Sequence, residues 1–275
     1  MDTVNFRRLL EHVQASAGLK IPVTKKGFVE SRLRKQFMSI GLNTIDEYAD
    51  YLFDKGGLSK DEGIIFDLLT TNKTDFFREI HHFNFLNKTA FPQFIKAGVG
   101  IRRPLRIWSA GCSNGAEPYS LAMACEEQNQ YDQRFLYTIH ASDISYRMID
   151  EATRAVYPHS HIEPVPQDMR AKYLLRSNDR DPDQVKIVKG LRDNVIFKRI
   201  NLMDSKYPFD QKFDIIFCRN LLIYFDQSDQ YKVINRLCSY LVPGGYLALG
   251  HSESIIGFDL PLRTLAATIF QRETD

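Results

Sequence analysis

The chain has 275 residues, 44% of them hydrophobic and 25% charged, with 19 Phe, 13 Tyr and one Trp. That balance excludes a disordered chain, a collagen and a coiled-coil rod, and at roughly 150 residues per domain it allows about two domains. A net charge of +2 gives no global field for nucleic acid.

Residues 1 to about 90 read as a small helical domain and a linker. The start, Met1-Asp2-Thr3-Val4-Asn5-Phe6-Arg7-Arg8, does not read as a signal peptide. Phe6, Leu9, Leu10, Val13 and Ala17 recur at helical spacing, and Gly18 stops the run. A second helix is expected over about 26–40, ending at Gly41. At about 100° per residue, Val29, Leu33, Phe37 and Ile40 share one arc of it, Arg34 and Lys35 face the other way, and Arg32 sits at the edge. Thr44 with Glu47, and Ser59 with Glu62, form capping boxes that should open a third and a fourth helix.

At Leu105 the pattern changes. Leu105–Ala110 reads as a buried strand, Gly111–Gly115 as a tight loop, and a helix follows with Pro118 in its first turn. Phe135–Ser142, Val195–Ile200, Phe213–Cys218 and Tyr246–Gly250 are expected strands, with helices over about 145–154 and at Gln227–Tyr240. Strands alternating with helices imply a parallel, doubly wound α/β sheet. The last strand, Thr268–Arg272, should pair antiparallel with Tyr246–Gly250, because little room is left for a helix. Residues 156–192 break the rhythm with Pro158, Pro164, Pro166 and Pro182. There Tyr173-Leu174-Leu175 and Val185–Val188 flank a polar turn, Ser177–Gln184, which suggests a small antiparallel β insert.

Cys112, Cys125, Cys218 and Cys238 are far apart and form no CxxC pair. That spacing points away from a zinc site and a disulfide framework, and toward a reducing cytoplasmic compartment. Ile215–Phe225 is interrupted by Arg219 and is too short to span a bilayer. His81-His82 and His159-x-His161 read as ordinary boundary histidines, so no metal is expected. Cys112, in a ligand-side loop, is a candidate for oxidation.

In a doubly wound sheet, ligands sit beyond the C-terminal strand ends. Gly111 and Gly115 let backbone approach a ligand, and the N–H groups at the following helix start favour an anion. The loop is not G-x-G-x-x-G. Asp143, after the second strand, suits a ribose diol but stands farther from Gly111 than the ~20 residues of the dinucleotide fingerprint. Together these features suggest an adenosyl ligand without phosphates; the alternative is a plain strand-to-helix turn and a surface aspartate. Arg219 and Asn220 are polar groups in apolar surroundings and need partners.

Five segments taken together resemble one family. They are Thr71–Glu79 (TNKTDFFRE), Trp108–Ser120 (WSAGCSNGAEPYS), Ala141–Ile144 (ASDI), Phe217–Phe225 (FCRNLLIYF) and Gly250–Ser254 (GHSES). On these motifs the chain resembles the CheR chemotaxis receptor methyltransferases over nearly its whole length. The resemblance implies an N-terminal helical domain (1–90) and a class I, Rossmann-like methyltransferase domain (91–275, insert about 156–192). It implies methyl transfer from S-adenosylmethionine to glutamate side chains of methyl-accepting chemotaxis receptors, leaving S-adenosylhomocysteine. Carried over by motif, Asn72, Thr74, Arg78, Glu117, Asp143, Asn201, Leu202, Arg219 and Asn220 would line the cofactor site together with Gly111, and Arg78 and Tyr224 would stand nearest the transferring methyl.

The basic segment with Arg32, Arg34 and Lys35 is then a candidate docking surface for the receptor, the alternative being a solvated face. In some members the β insert binds the receptor's C-terminal tail through a glycine-bearing turn. Here Ser177–Gln184 has no glycine, which points away from tail docking. The rival readings are a small-molecule carboxyl methyltransferase and a non-catalytic S-adenosylmethionine-binding module. A nucleic-acid methyltransferase is disfavoured by the low charge and by the lack of an Asn/Asp-Pro-Pro-Tyr loop after Cys218.

Overall fold

The computed structural model describes residues 4–129, 134–176 and 183–274. The helical part comprises α1 (Val4–Ala17), α2 (Lys26–Ser39), α3 (Ile45–Asp54) and α4 (Leu58–Leu69). The apolar periodicity of α1 is fully used, since Phe6, Leu9, Leu10, Val13 and Ala17 are all buried. In α2, Val29, Leu33 and Phe37 are buried while Arg32, Arg34 and Lys35 are exposed. Ile40 departs from the expected arc. It is the C-cap residue, outside the helical repeat, and is 38% exposed.

Thr44 caps α3, its hydroxyl accepting from the Glu47 N–H at 3.1 Å, while Glu47 reaches back to the Asn43 N–H at 2.8 Å. The second expected capping box does not form. Gly57 is the N-cap of α4, so Ser59 lies inside the helix, and Glu62 instead pairs with His12 at 2.9 Å.

Helices α5 (Ile80–Phe85) and α6 (Phe91–Lys96) are joined by a π-helical turn at Leu86–Ala90. The sheet half follows as β1 (Leu105–Ala110), α7 (Ala116–Glu126), β2 (Tyr137–Asp143) and α8 (Tyr146–Arg154). The insert holds β3 (Val156–Pro158), α9 (Gln167–Tyr173), β4 (Leu174–Arg176) and β5 (Gln184–Ile187), closed by α10 (Lys189–Arg192). Then come β6 (Val195–Arg199), β7 (Phe213–Cys218), α11 (Gln227–Tyr240), β8 (Leu241–Leu249), β9 (Leu262–Ala266) and β10 (Ile269–Arg272).

The main sheet has the order β6-β2-β1-β7-β8-β10-β9. Its first five strands are parallel and β10 runs antiparallel to β8. All six residues of β7 are buried, which is why five of the six are apolar. Its one charge, Asp214, is answered by Arg103 at 2.6 Å. The strand β9 is a finding beyond the sequence reading. It forms the hairpin with β10, and its exposed Arg263–Ala266 leaves no alternation to read.

The insert is an antiparallel sheet of order β3-β5-β4. Tyr173 ends α9 rather than opening a strand. Residues 177–182 of the expected polar turn lie outside the described residues. Chain order reverses between β1 and β7, so the ligand crevice is expected at their C-terminal ends. The helical core closes over that edge, with Ile144 and Tyr224 packed against it.

Candidate active site

A cleft, partly open to solvent, lies beyond the C-terminal ends of β1, β2, β6 and β7. Segment 70–78 and the end of α1 form its other wall. The structure brings the named residues of five separate segments together there. Asn72, Thr74 and Arg78 come from the linker, Gly111 and Glu117 from the β1 loop and the first turn of α7, and Asp143 from the end of β2. Asn201 and Leu202 follow β6, and Arg219, Asn220 and Tyr224 follow β7. Arg32, Arg34 and Lys35 do not line it.

Gly111 (φ +80°) forms part of the wall, and a Cβ there would stand 3.0 Å from Leu221 Cδ2. The N–H groups of the loop ahead of α7 are engaged within the protein. Those of Gly111 and Cys112 both donate to the Ser142 carbonyl at 2.8 Å, and that of Ser113 donates to Asp143 Oδ2 at 2.9 Å. Asp143 is 8% exposed and takes the Ser145 N–H on its other oxygen, also at 2.9 Å. Burial raises its pKa, while the Ser145, Ser113 and Ile144 N–H groups pull the other way. A carboxylate has about four lone-pair sites, so beside these three N–H donors Asp143 keeps acceptor capacity for a ribose hydroxyl.

Arg219 is the electrostatic hub of the cleft. Its side chain is 2% exposed. Nε donates to Glu117 Oε2 at 2.7 Å, and Nη1 donates to the Arg78 carbonyl at 2.6 Å and to His82 Nδ1 at 3.1 Å. Glu79 Oε2 lies 3.6 Å away, and the other Glu117 oxygen accepts from Ser109 at 2.7 Å. Asn201 is committed as well, donating to the Ser16 carbonyl and accepting from the Met203 N–H. It therefore ties α1 to the cleft. Arg78 is different. Its guanidinium donates to the Lys73 carbonyl at 3.1 Å and has no ion pair among the described residues. The Tyr224 hydroxyl likewise has no hydrogen-bond partner among them.

Glu79, His81 and His82 converge closely enough to hold a metal ion. His82 is engaged on both nitrogens, Nδ1 facing Arg219 and Nε2 facing Thr268 at 3.0 Å. A cation beside the cluster and only two remaining donors make a poor metal site. Burial, then the charge of Arg219, pushes the His82 pKa down to about 3. Stability from this group is full above the ordinary histidine pKa near 6.5 and is lost as pH falls toward 3, by up to ~1.4 kcal/mol per pH unit. His82→Asn, which keeps an acceptor toward Arg219, is therefore expected to flatten the acid limb of stability. Urea unfolding between pH 4 and 7 measures it, and an unchanged slope would contradict the assignment.

Cys112 is not a reactive thiol. Burial, with Asp143 and Glu117 nearby, pushes its pKa well above the usual range and disfavours the thiolate that oxidation needs. All four cysteines are free and buried.

Residues 72–270 match the model of the CheR methyltransferase S-adenosylmethionine-binding domain, and residues 5–63 match that of the CheR methyltransferase all-alpha domain. The chain belongs to the CheR methyltransferase family. A chemotaxis protein methyltransferase of Borreliella burgdorferi is 38% identical over 91% of this chain and 88% of its own length. Chemotaxis protein methyltransferase 2 of Pseudomonas aeruginosa is 33% identical over 97% and 92%. The Escherichia coli chemotaxis protein methyltransferase is 30% identical over 100% and 93%. The chain is thus an S-adenosylmethionine-dependent methyltransferase, and the donor set suits that ligand. Asp143 keeps acceptor capacity for a ribose hydroxyl, the glycine loop leaves room beside Leu221, and a free guanidinium stands at the same cleft.

Sequence reasoning gave no role to Glu79, His82, Ser113 or Glu253. Glu79 and Glu253 stand inside two of the quoted motifs, yet a carboxylate that binds backbone N–H groups of a distant loop leaves no local pattern. Backbone strain is equally silent in sequence. Ser113 and Asn220, which line the cleft, and Phe77 and Glu79, which flank Arg78, are non-glycine residues in the left-handed region, with φ of 49°, 57°, 51° and 57°.

Proposed function

We propose that this chain transfers the methyl group of S-adenosylmethionine to glutamate side chains on the cytoplasmic helices of chemoreceptors, working in the cytoplasm. The observation that carries the reading is the unpaired Arg78 guanidinium. Arg219, in the same cleft, is matched by Glu117 and Glu79, whereas Arg78 has no anionic partner among the described residues and so suits an acidic acceptor. The names of the relatives, chemotaxis protein methyltransferases, supply the pathway.

When bound, S-adenosylmethionine supplies an electrophilic methyl group on a sulfonium. An acceptor glutamate is already ionised at neutral pH and needs no general base. Its oxygen forms the new bond to the methyl carbon as the carbon–sulfur bond breaks, and the electron pair passes to sulfur. No proton moves. Asp143, Asn72, Thr74, Gly111 and Leu202 hold and shape the donor side, and Asn201, Glu117, Arg219 and Asn220 fix the walls. Arg78 aims the carboxylate by a charge-assisted hydrogen bond, and the Tyr224 hydroxyl steadies an oxygen. Alignment is the main contribution, since holding reactants in line supplies about 7–11 kcal/mol.

The exposed Arg32, Arg34 and Lys35 of α2 are proposed to dock the acidic receptor bundle. Charge reversal at Arg32 and Lys35 is expected to raise the receptor KM by about tenfold and to leave S-adenosylhomocysteine affinity unchanged. A normal KM for the double variant would remove the docking role. Binding of the receptor's C-terminal tail is not part of the proposal, and no helix among the described residues is long and apolar enough to cross a membrane. The function itself is tested by mass spectrometry of a receptor cytoplasmic fragment after incubation with enzyme and S-adenosylmethionine. Methylated glutamates in the receptor helices are expected. Methyl groups only on other residues, or none, would contradict it.

A further inference from the structure

Three segments meet around Asn220, which lines the cleft: the linker through Glu79, the β7 loop through Asn220–Tyr224, and the turn after β8, residues 250–253. Glu253, in that turn, is 8% exposed. Its Oε1 accepts the N–H groups of both Leu221 and Leu222 at 2.7 Å, and its Oε2 accepts that of Gly250 at 2.5 Å. Its own N–H closes the turn onto the Gly250 carbonyl at 3.0 Å. Burial raises its pKa, and the groups that pull the other way are the backbone N–H donors of Gly250, Leu222, Leu221 and Asn220, with no cation among them. A buried carboxylate without a cation is costly, and here backbone donors alone offset that cost.

What they hold is Asn220, in the left-handed region at φ +57°. Its side chain is fixed from the opposite side, since Nδ2 donates to Glu79 Oε1 at 3.1 Å. That same oxygen also accepts the His251 N–H at 3.2 Å. Burial would raise the Glu79 pKa, but the Asn220 amide, the His251 N–H and Arg219 outweigh it and hold the group ionised. Gly250 completes the fit. A Cβ there would come within 2.5 Å of Asn220 Nδ2 and 2.7 Å of its backbone nitrogen. A strained residue persists only when its surroundings over-determine it. Here two carboxylates on separate loops and a glycine contact do so.

We propose that Glu253 is a positioning residue for methyl transfer: its carboxylate ties the turn after β8 to the Asn220–Leu222 backbone and so sets where Asn220 and Tyr224 stand in the cleft. It touches neither donor nor acceptor. The donor's ribose end is held elsewhere, by Asp143, so loss of the tie should reach turnover before affinity.

The inference rests on the proposed reaction for its turnover readout, and E253Q is its test. The glutamine oxygen still accepts from Leu221 and Leu222, but its amide faces the Gly250 N–H, donor against donor. A kcat on receptor fragment lower by about tenfold or more is expected, with S-adenosylhomocysteine Kd within about threefold of wild type. Faster amide hydrogen exchange in residues 219–225 should accompany it. G250A, which crowds Asn220 while keeping the Glu253 carboxylate, is expected to shift kcat the same way and to be less than additive with E253Q. Wild-type kcat in E253Q would overturn the proposal, as would parallel losses of kcat, affinity and thermal stability, the mark of a merely structural role. An inactive wild-type enzyme would refute the reaction instead. The exchange measurement needs no substrate and still decides the tie, since unchanged exchange in E253Q overturns it.

Discussion

Arg78→Ala is expected to lower kcat on receptor by about 10²-fold while weakening S-adenosylhomocysteine binding by less than about tenfold. The reason lies in where charge goes. The acceptor carboxylate loses its negative charge as the ester forms, so a cation bound to it is worth less in the transition state than before. Arg78 therefore contributes aim rather than charge stabilisation. Its anchor on the Lys73 carbonyl and its lack of an ion pair among the described residues leave its remaining donors for an incoming acid. Arg78→Lys keeps the charge but loses the planar fork, and should fall between wild type and alanine. Isothermal titration with S-adenosylhomocysteine beside steady-state kinetics separates the two effects. Turnover within threefold of wild type would remove Arg78 from the reaction.

Arg219→Leu should damage the fold itself. It removes the guanidinium that Glu117 meets at 2.7 Å and Glu79 at 3.6 Å, leaving two largely buried carboxylates without their cation. Breaking a buried pair from one side costs about 3–5 kcal/mol, mostly because of the charge left behind. The His82 Nδ1 acceptor and the Arg78 carbonyl lose their donor as well. Adding Glu117→Gln to Arg219→Leu is expected to recover part of the loss, because one uncompensated charge is then gone. Urea unfolding of wild type, both single variants and the double variant measures the coupling. A loss under about 1 kcal/mol for Arg219→Leu would show that the cluster is not a balanced buried network.

Elements whose burial matches their periodicity were legible from sequence. The α1 stripe of Phe6, Leu9, Leu10, Val13 and Ala17 and the wholly buried β7 are the clearest cases. Where tertiary partners decide, the reading failed. Ser59 has the residue type of a cap, but Gly57 takes the position and Glu62 is drawn to His12. In β9, exposed residues pair through backbone and leave no hydrophobic signal. The glycine loop was recognisable, but the partners of its N–H groups, the Ser142 carbonyl and the Asp143 carboxylate, lie about 30 residues along the chain and leave no local signal. Four of the five motifs place residues in one cleft, and Asn201–Leu202 joins them there from outside any motif. The glutamates that brace the cleft, Glu79 and Glu253, bond across more than 30 residues of chain or more than 140, a reach no local pattern encodes.

The central claim is carboxyl methylation of a receptor. Enzyme, methyl-labelled S-adenosylmethionine and chemoreceptor-rich membranes from the same source would be combined, and the label released as methanol by mild alkali counted on the receptor band. Glutamyl methyl esters hydrolyse under those conditions and N-methyl groups do not. Alkali-labile label on the receptor is expected, falling about 10²-fold with Arg78→Ala. Label that resists alkali, or a receptor band without label while the enzyme binds its cofactor, would contradict it.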